Sequence, residues 1–201
     1  MSEKIKVAVL VSGGGTNLQA LIDKEADGQI PDAHIVKVIA SREDAFALER
    51  AAKAGIETAV AKEPQQVMEE LQKSGADMIV LAGYMKVLPK EIIERYRNKI
   101  INIHPSLIPK YCGKGFYGKR VHKAVLEGGE KESGATVHFV DEGTDTGPIL
   151  LQKAVEVRQD DTPQSLQRRV MEEAEWKLLP RAIDLIAHDR VRVEGAKTVI
   201  L

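Results

Sequence analysis

The strongest constraint on this chain is a series of short apolar runs at residues 5–11, 35–40, 78–82 and 100–103, with a shorter one at 56–61. They are continuous rather than alternating in character, which suits strands buried on both faces, as in parallel sheets. Helix-like stretches fall between them, at 18–26, 44–54, 64–74 and 89–96. Lys53-Ala54-Gly55 and Lys73-Ser74-Gly75 place a late cation and then a glycine where helices stop. Alternating strand and helix predict a doubly wound sheet in the first half.

The second half reads differently. Residues 105–118 are rich in Pro, Gly, Lys and aromatic side chains and predict a long loop. A helix is expected at 117–127 and strands at 134–140 and 149–157, joined by DEGTDTGP. One long helix is expected at 162–187, bent at Pro180, with Leu166, Val170, Ala174 and Leu178 at four-residue spacing. Residues 191–193 and 198–201 predict a terminal hairpin. The fold class is therefore α/β: a doubly wound, mostly parallel, Rossmann-like sheet with an antiparallel C-terminal extension.

Bulk properties exclude several function classes. The 201 residues carry 29 basic and 30 acidic side chains, a net charge of −1, with no signature of a nucleic-acid or membrane-surface binder. Cys112 is the single cysteine, so no internal disulfide forms and a reducing compartment is expected. The start is polar, and no run approaches the roughly 20 apolar residues of a membrane helix. The expected location is the cytoplasm.

The first apolar run leads into SGGGTNLQAL. Glycines between a strand and a helix let backbone N–H groups converge on an anion at the positive end of the helix dipole. No Gly-Lys-Ser/Thr follows, so this is not a Walker loop. As a dinucleotide fingerprint it has Gly13 and Gly15, but Leu18 stands at the third glycine, and the second strand ends in Ser41-Arg42 rather than an acid. Arg42 facing a ribose 2′-phosphate keeps an NADP-dependent reductase open. A terminal phosphomonoester held by Gly15, Thr16 and Asn17 fits better.

The segment IINIHPSLI interrupts a core strand with Asn102 and His104, two residues apart and so on one face. Pro105 follows and keeps His104 extended. An amide and an imidazole that donate toward one point suit an oxyanion growing on a carbonyl under attack. A carboxylate near His104 would orient it and favour its charged form. Asp141, Glu142 and Asp145 are all candidates by spacing. His138 is either a core or a site-lining residue. His122 is expected on an exposed helix face, Trp176 and Met171 as packing residues, and His34 and His188 in solvent.

In this order, SGGGTNLQAL, AGYMKVLP, INIHPSLIPKY and GATVHFVDEGTDTGPILLQ resemble the folate-dependent formyltransferase family, specifically its glycinamide ribonucleotide formyltransferases, from about residue 7 to 180. That resemblance implies formyl transfer from 10-formyltetrahydrofolate to the amine of 5′-phosphoribosylglycinamide in purine biosynthesis, without a metal. It implies Asn102, His104 and Asp145 as catalytic residues, and Gly15, Thr16 and Asn17 as the phosphate turn. Met85, Lys86, Val87 and Leu88 would line the folate pocket with Asn102, and Glu175 would place the substrate amine. Lys86 stands where arginine is expected, and Lys62 is a weak counterpart of an arginine for the folate glutamate.

The resemblance also implies one domain over 1–201, with a phosphate-binding half at 1–100 and a catalytic and folate-binding half at 101–201. The partners would be small-molecule substrates, with the chain a monomer or homodimer. Methionyl-tRNA formyltransferases carry an additional tRNA-binding domain. Formyltetrahydrofolate deformylases share the site residues and usually carry an N-terminal regulatory domain. A non-catalytic nucleotide sensor would use only the phosphate turn.

Overall fold

The computed structural model describes residues 4–201. Seven strands form one sheet in the order β3-β2-β1-β4-β5-β6-β7. They are β1 Ile5–Val11, β2 Ala33–Ala40, β3 Glu57–Val60, β4 Met78–Leu81, β5 Ile100–His104, β6 Glu132–Phe139 and β7 Ile149–Glu156. The first five run parallel, and β6 and β7 are antiparallel additions beyond β5. The order reverses between β1 and β4, which makes the carboxyl edge there the expected ligand crevice.

Both faces of the central parallel strands β1, β4 and β5 are buried, whereas the edge strand β3 is largely exposed. Val7, Val9, Val11, Ile101 and Ile103 enter one core, with Leu18 and Leu21 of α1 (Thr16–Ala26). Ala8, Leu10, Ile79 and Ile100 enter a second, with α3 (Pro64–Ser74) and α4 (Lys90–Arg95). This double burial produces the continuous apolar runs. Lys37, inside one such run, is buried but paired with Glu57 at 2.7 Å and Glu70 at 2.6 Å.

Most expected elements occur, with shifted ends. Helix α2 is Ala47–Lys53, starting later than residue 44, because the Ala47 N–H is taken by the Gly13 carbonyl. Helix α5 is Lys119–Glu127. The terminal hairpin is β8 Val191–Glu194 and β9 Lys197–Ile200.

The long C-terminal helix departs most from expectation. It divides into α6 (Pro163–Val170), a π turn at Met171–Glu175, and α7 (Trp176–Ala187). Pro180 lies inside α7 without interrupting it. Having no N–H, Pro180 leaves the Trp176 carbonyl without its helical partner. The ladder is thus already open where the wider turn ends. The four-residue spacing supplies a second cause. On a straight α-helix it drifts by about 40° per step, and a turn with an additional residue takes up that drift.

Candidate active site

The carboxyl edge gathers three segments. The first is the glycine turn after β1. Gly15 has φ 71°, and a Cβ there would sit 2.6 Å from the Ala47 Cβ, so both backbone and packing demand glycine. Ser12 ties this turn to its neighbours. Its hydroxyl lies 2.6 Å from the Ser41 hydroxyl and accepts from the Met85 N–H at 2.8 Å.

The Thr16 and Asn17 side chains do not cap α1. Thr16 Oγ1 points at Met171 Sδ, 3.5 Å away, and Asn17 Nδ2 donates to Glu175 Oε2 at 2.6 Å. An anion here therefore meets backbone N–H groups at the start of α1, which helix geometry leaves without intrahelical partners. Arg50, which sequence reasoning missed, donates to the Gly14 carbonyl at 2.8 Å and adds positive charge beside the turn.

Glu175 ends the π turn, and the additional residue of that turn coincides with its meeting Asn17. It is 6% exposed, and burial pushes its pKa up to about 7 against the opposing hydrogen bond from Asn17. A carboxyl at that value exchanges its proton near neutrality.

The second segment follows β4. Met85 and Val87 are 52% and 74% exposed, an unusual placement for large apolar side chains beside a crevice. Leu88, expected in the same lining, is instead a core residue at 5% exposure. The Lys86 ammonium donates to the Lys62 carbonyl. Lys62 itself pairs with Glu43 at 2.7 Å, and exposed Arg42 pairs with Asp44. Arg42 thus already has a carboxylate partner, which weakens the NADP reading.

The third segment is the end of β5. Asn102 and His104 project on one face, and the antiparallel register sets His138 opposite Asn102. Asp145 is the acid that arrives. Its carboxylate lies 3.5 Å from Asn102 Nδ2, 3.6 Å from His104 Nδ1 and 3.5 Å from His138 Nε2. Asp141 instead accepts from the Gly143 N–H at 3.0 Å and from the Thr146 hydroxyl, shaping the turn, while Glu142 pairs with Arg97. Gly147 lets the turn close, since a Cβ there would sit 1.8 Å from the Phe139 carbonyl oxygen.

Backbone strain marks the same place. Asp145 and Tyr111 take the left-handed conformation, with φ 58° and 52°. The Tyr111 carbonyl accepts from His104 Nε2 at 2.9 Å, and the Gly113 N–H donates to Asp145 Oδ2 at 2.9 Å. Tyr111 and Gly113 both belong to the 105–118 loop.

Opposing influences act on His104. Burial lowers the proton affinity of His104, and His138 adds to this. The Tyr111 carbonyl and Asp145 oppose it without overcoming it. With Nε2 donating to the Tyr111 carbonyl, Nδ1 is the ring nitrogen that faces Asp145. Burial raises the Asp145 pKa, but His138, His104 and the Gly113 N–H together hold it below the usual carboxylate value.

Other histidines also find their places. His138 is buried and part of the site. His122, expected in solvent, is fully buried on α5, and neither ring nitrogen has a hydrogen-bond partner. Burial, with a smaller repulsion from His104, lowers its pKa to about 4. His34 and His188 are exposed and face acids. Trp176 is half-buried, with a buried indole N–H that has no partner. Among the described residues, no group of three His, Cys, Asp or Glu is placed to hold a metal, and no helix is long and apolar enough to cross a membrane.

A family model described as formyl transferase matches residues 5–183. The chloroplastic phosphoribosylglycinamide formyltransferase of Arabidopsis thaliana is 41% identical over 93% of this chain and 67% of its own. The phosphoribosylglycinamide formyltransferase of Haemophilus influenzae is 40% identical over 94% of this chain and 90% of its own. The crystal structure of glycinamide ribonucleotide transformylase 1 from Symbiobacterium toebii superposes with a TM-score of 0.93 at 39% identity, covering 100% of this chain and 96% of that one. Against a trifunctional purine biosynthetic protein of Drosophila melanogaster, 42% identical, the match spans only 14% of the longer protein. With the family model matching most of its length, the chain belongs to the formyl transferase family.

Proposed function

We propose that this chain transfers a formyl group from 10-formyltetrahydrofolate to the amine of 5′-phosphoribosylglycinamide, as a cytoplasmic enzyme of purine biosynthesis. The observation that carries the reading is the convergence of Asn102, His104 and Asp145 at the sheet edge that also bears the open turn before α1. The backbone of Gly15, Thr16 and Asn17 would hold the ribonucleotide phosphate. Glu175 would accept a hydrogen bond from the substrate amine. The exposed Met85 and Val87 would cover one face of the folate ring, and the folate supplies the formyl group as a substrate.

The reaction needs one oxyanion stabilised and one proton moved. The amine lone pair adds to the formyl carbon, and the carbonyl pair moves to oxygen. Asn102 Nδ2 meets this charge with an N–H. As the negative charge grows, His104 Nδ1 takes up the proton that the attacking amine releases and holds it between the oxyanion and Asp145. That same proton then passes to the departing nitrogen, directly or through a water held by Asp145, as the carbon–nitrogen bond to the donor breaks and the carbonyl re-forms. No covalent enzyme intermediate is required. Cys112, whose thiol pKa is raised by burial and by Asp145, is unsuited to be a nucleophile.

Absorbance of the folate product, followed with purified protein and both substrates, tests the reading. A signal that requires the ribonucleotide supports it. A signal with the folate alone identifies a deformylase, and no signal from folded protein removes the proposal.

A further inference from the structure

The antiparallel register sets His104, Thr136 and Gln152 side by side on β5, β6 and β7. Residues directly opposed across such strands share a face. After His104 the chain leaves β5 and folds back over this row. Thr136 Oγ1 donates to the Ser106 carbonyl at 2.6 Å and accepts from the Ile108 N–H at 3.2 Å and Gln152 Nε2 at 2.9 Å. The second hydrogen of Gln152 Nε2 reaches the Ile108 carbonyl, also at 2.9 Å. One hydroxyl and one amide thus secure three backbone groups of the loop.

These contacts sit just upstream of the two that touch the site. Three residues beyond Ile108, Tyr111 presents its carbonyl to His104, and Gly113 then presents its N–H to Asp145. Neither Tyr111 nor Gly113 lies in a helix or strand, so no regular ladder fixes them. We infer that Thr136 and Gln152 are positioning residues, which clamp the backbone at Ser106 and Ile108 so that the loop meets His104 and Asp145 in register. Their expected kinetic effect rests on the formyl-transfer reading; their effect on the His104 ring does not.

Thr136 is fully buried, whereas Gln152 is exposed. Gln152→Ala is therefore the first test, because an exposed strand residue with no such role can be truncated with little consequence. A slightly misplaced group costs up to about 10²-fold in rate. Gln152→Ala should lower kcat about five- to tenfold, leave the KM for the ribonucleotide within about twofold, and move the His104 imidazole NMR signals. Thr136→Val should lose about 10²-fold, with Thr136→Ser recovering most of it. The double variant should be no worse than Thr136→Val alone, because both side chains act on one loop.

A folded Gln152→Ala protein with parental kcat and unmoved His104 signals would overturn the inference. So would a Thr136→Ser protein as impaired as Thr136→Val. If Thr136→Val does not fold, Gln152→Ala decides alone. Absence of formyl transfer in the parent would remove the functional reading only, since the His104 signals of Gln152→Ala still test the clamp.

Discussion

Asn102 Nδ2 lies 3.1 Å from His138 Nε2, and His138 Nδ1 lies 2.8 Å from the Phe139 carbonyl. The carbonyl can only accept, so His138 Nδ1 carries the proton and Nε2 offers its lone pair to Asn102. One amide hydrogen of Asn102 is thereby engaged, and the other faces the side where Asp145 lies. His138 thus fixes which way the proposed oxyanion donor points.

His138→Phe should free the Asn102 amide to rotate. The expected result is a fall in kcat of about tenfold or more, with little change in either KM, because the donor acts on charge that exists only in the transition state. His138→Gln, which keeps an acceptor, should be less impaired. Steady-state kinetics on the two variants check this.

Asp145→Asn removes a charge that raises the proton affinity of His104. The His104 pKa, already below that of an ordinary histidine because of burial, should fall further. Imidazole NMR titration reads this directly, and the acid limb of the kcat/KM profile should move the same way. An unmoved titration would break the proposed link between the two residues.

His122 ties stability to pH. Its pKa is about 4 in the folded protein, from burial first, against roughly 6.5 for an unfolded histidine. Between these values the unfolded chain binds the extra proton, so acidification favours unfolding by up to roughly 3 kcal/mol. His122→Leu removes the titration and also the two unpartnered ring nitrogens. Its stability should fall less than the parent's between pH 7 and pH 4, measured by denaturant unfolding.

Glu175 has the opposite sign. A carboxyl with its pKa raised to about 7 by burial binds more protons when folded, so its contribution to stability weakens as pH rises from the unfolded value toward 7. Glu175→Gln should match the parent near pH 4.5 and exceed it in Tm at pH 8. In exchange, the KM for the ribonucleotide should rise. Equal Tm differences at both pH values would contradict this.

Local patterns carried the regular parts of the fold, because double burial and helix stops leave marks within a few residues. The apolar runs mark the parallel strands, and Gly55 and Gly75 take the left-handed conformation expected after helices. His122 was misread, although it lies three residues before the buried Val125 and so on the same helix face. The uses of Thr16 and Asn17 were not legible, since their partners Met171 and Glu175 lie 155 and 158 residues away. The choice of Asp145 over Asp141 and Glu142 depended on the closure of one turn against Phe139, which spacing does not encode. Even the π turn had a trace in sequence, in the sustained four-residue spacing that a straight helix does not keep on one face.

The central claim is that Asn102 donates to the oxyanion of a formyl group in transfer. The most direct measurement is kcat for formyl transfer by folded Asn102→Ala at saturating ribonucleotide and formyl folate. A loss of about 10²–10³-fold or more, with both substrates still bound, is the predicted result. Turnover within a few-fold of the parent would contradict the claim and return the chemistry of this edge to other residues.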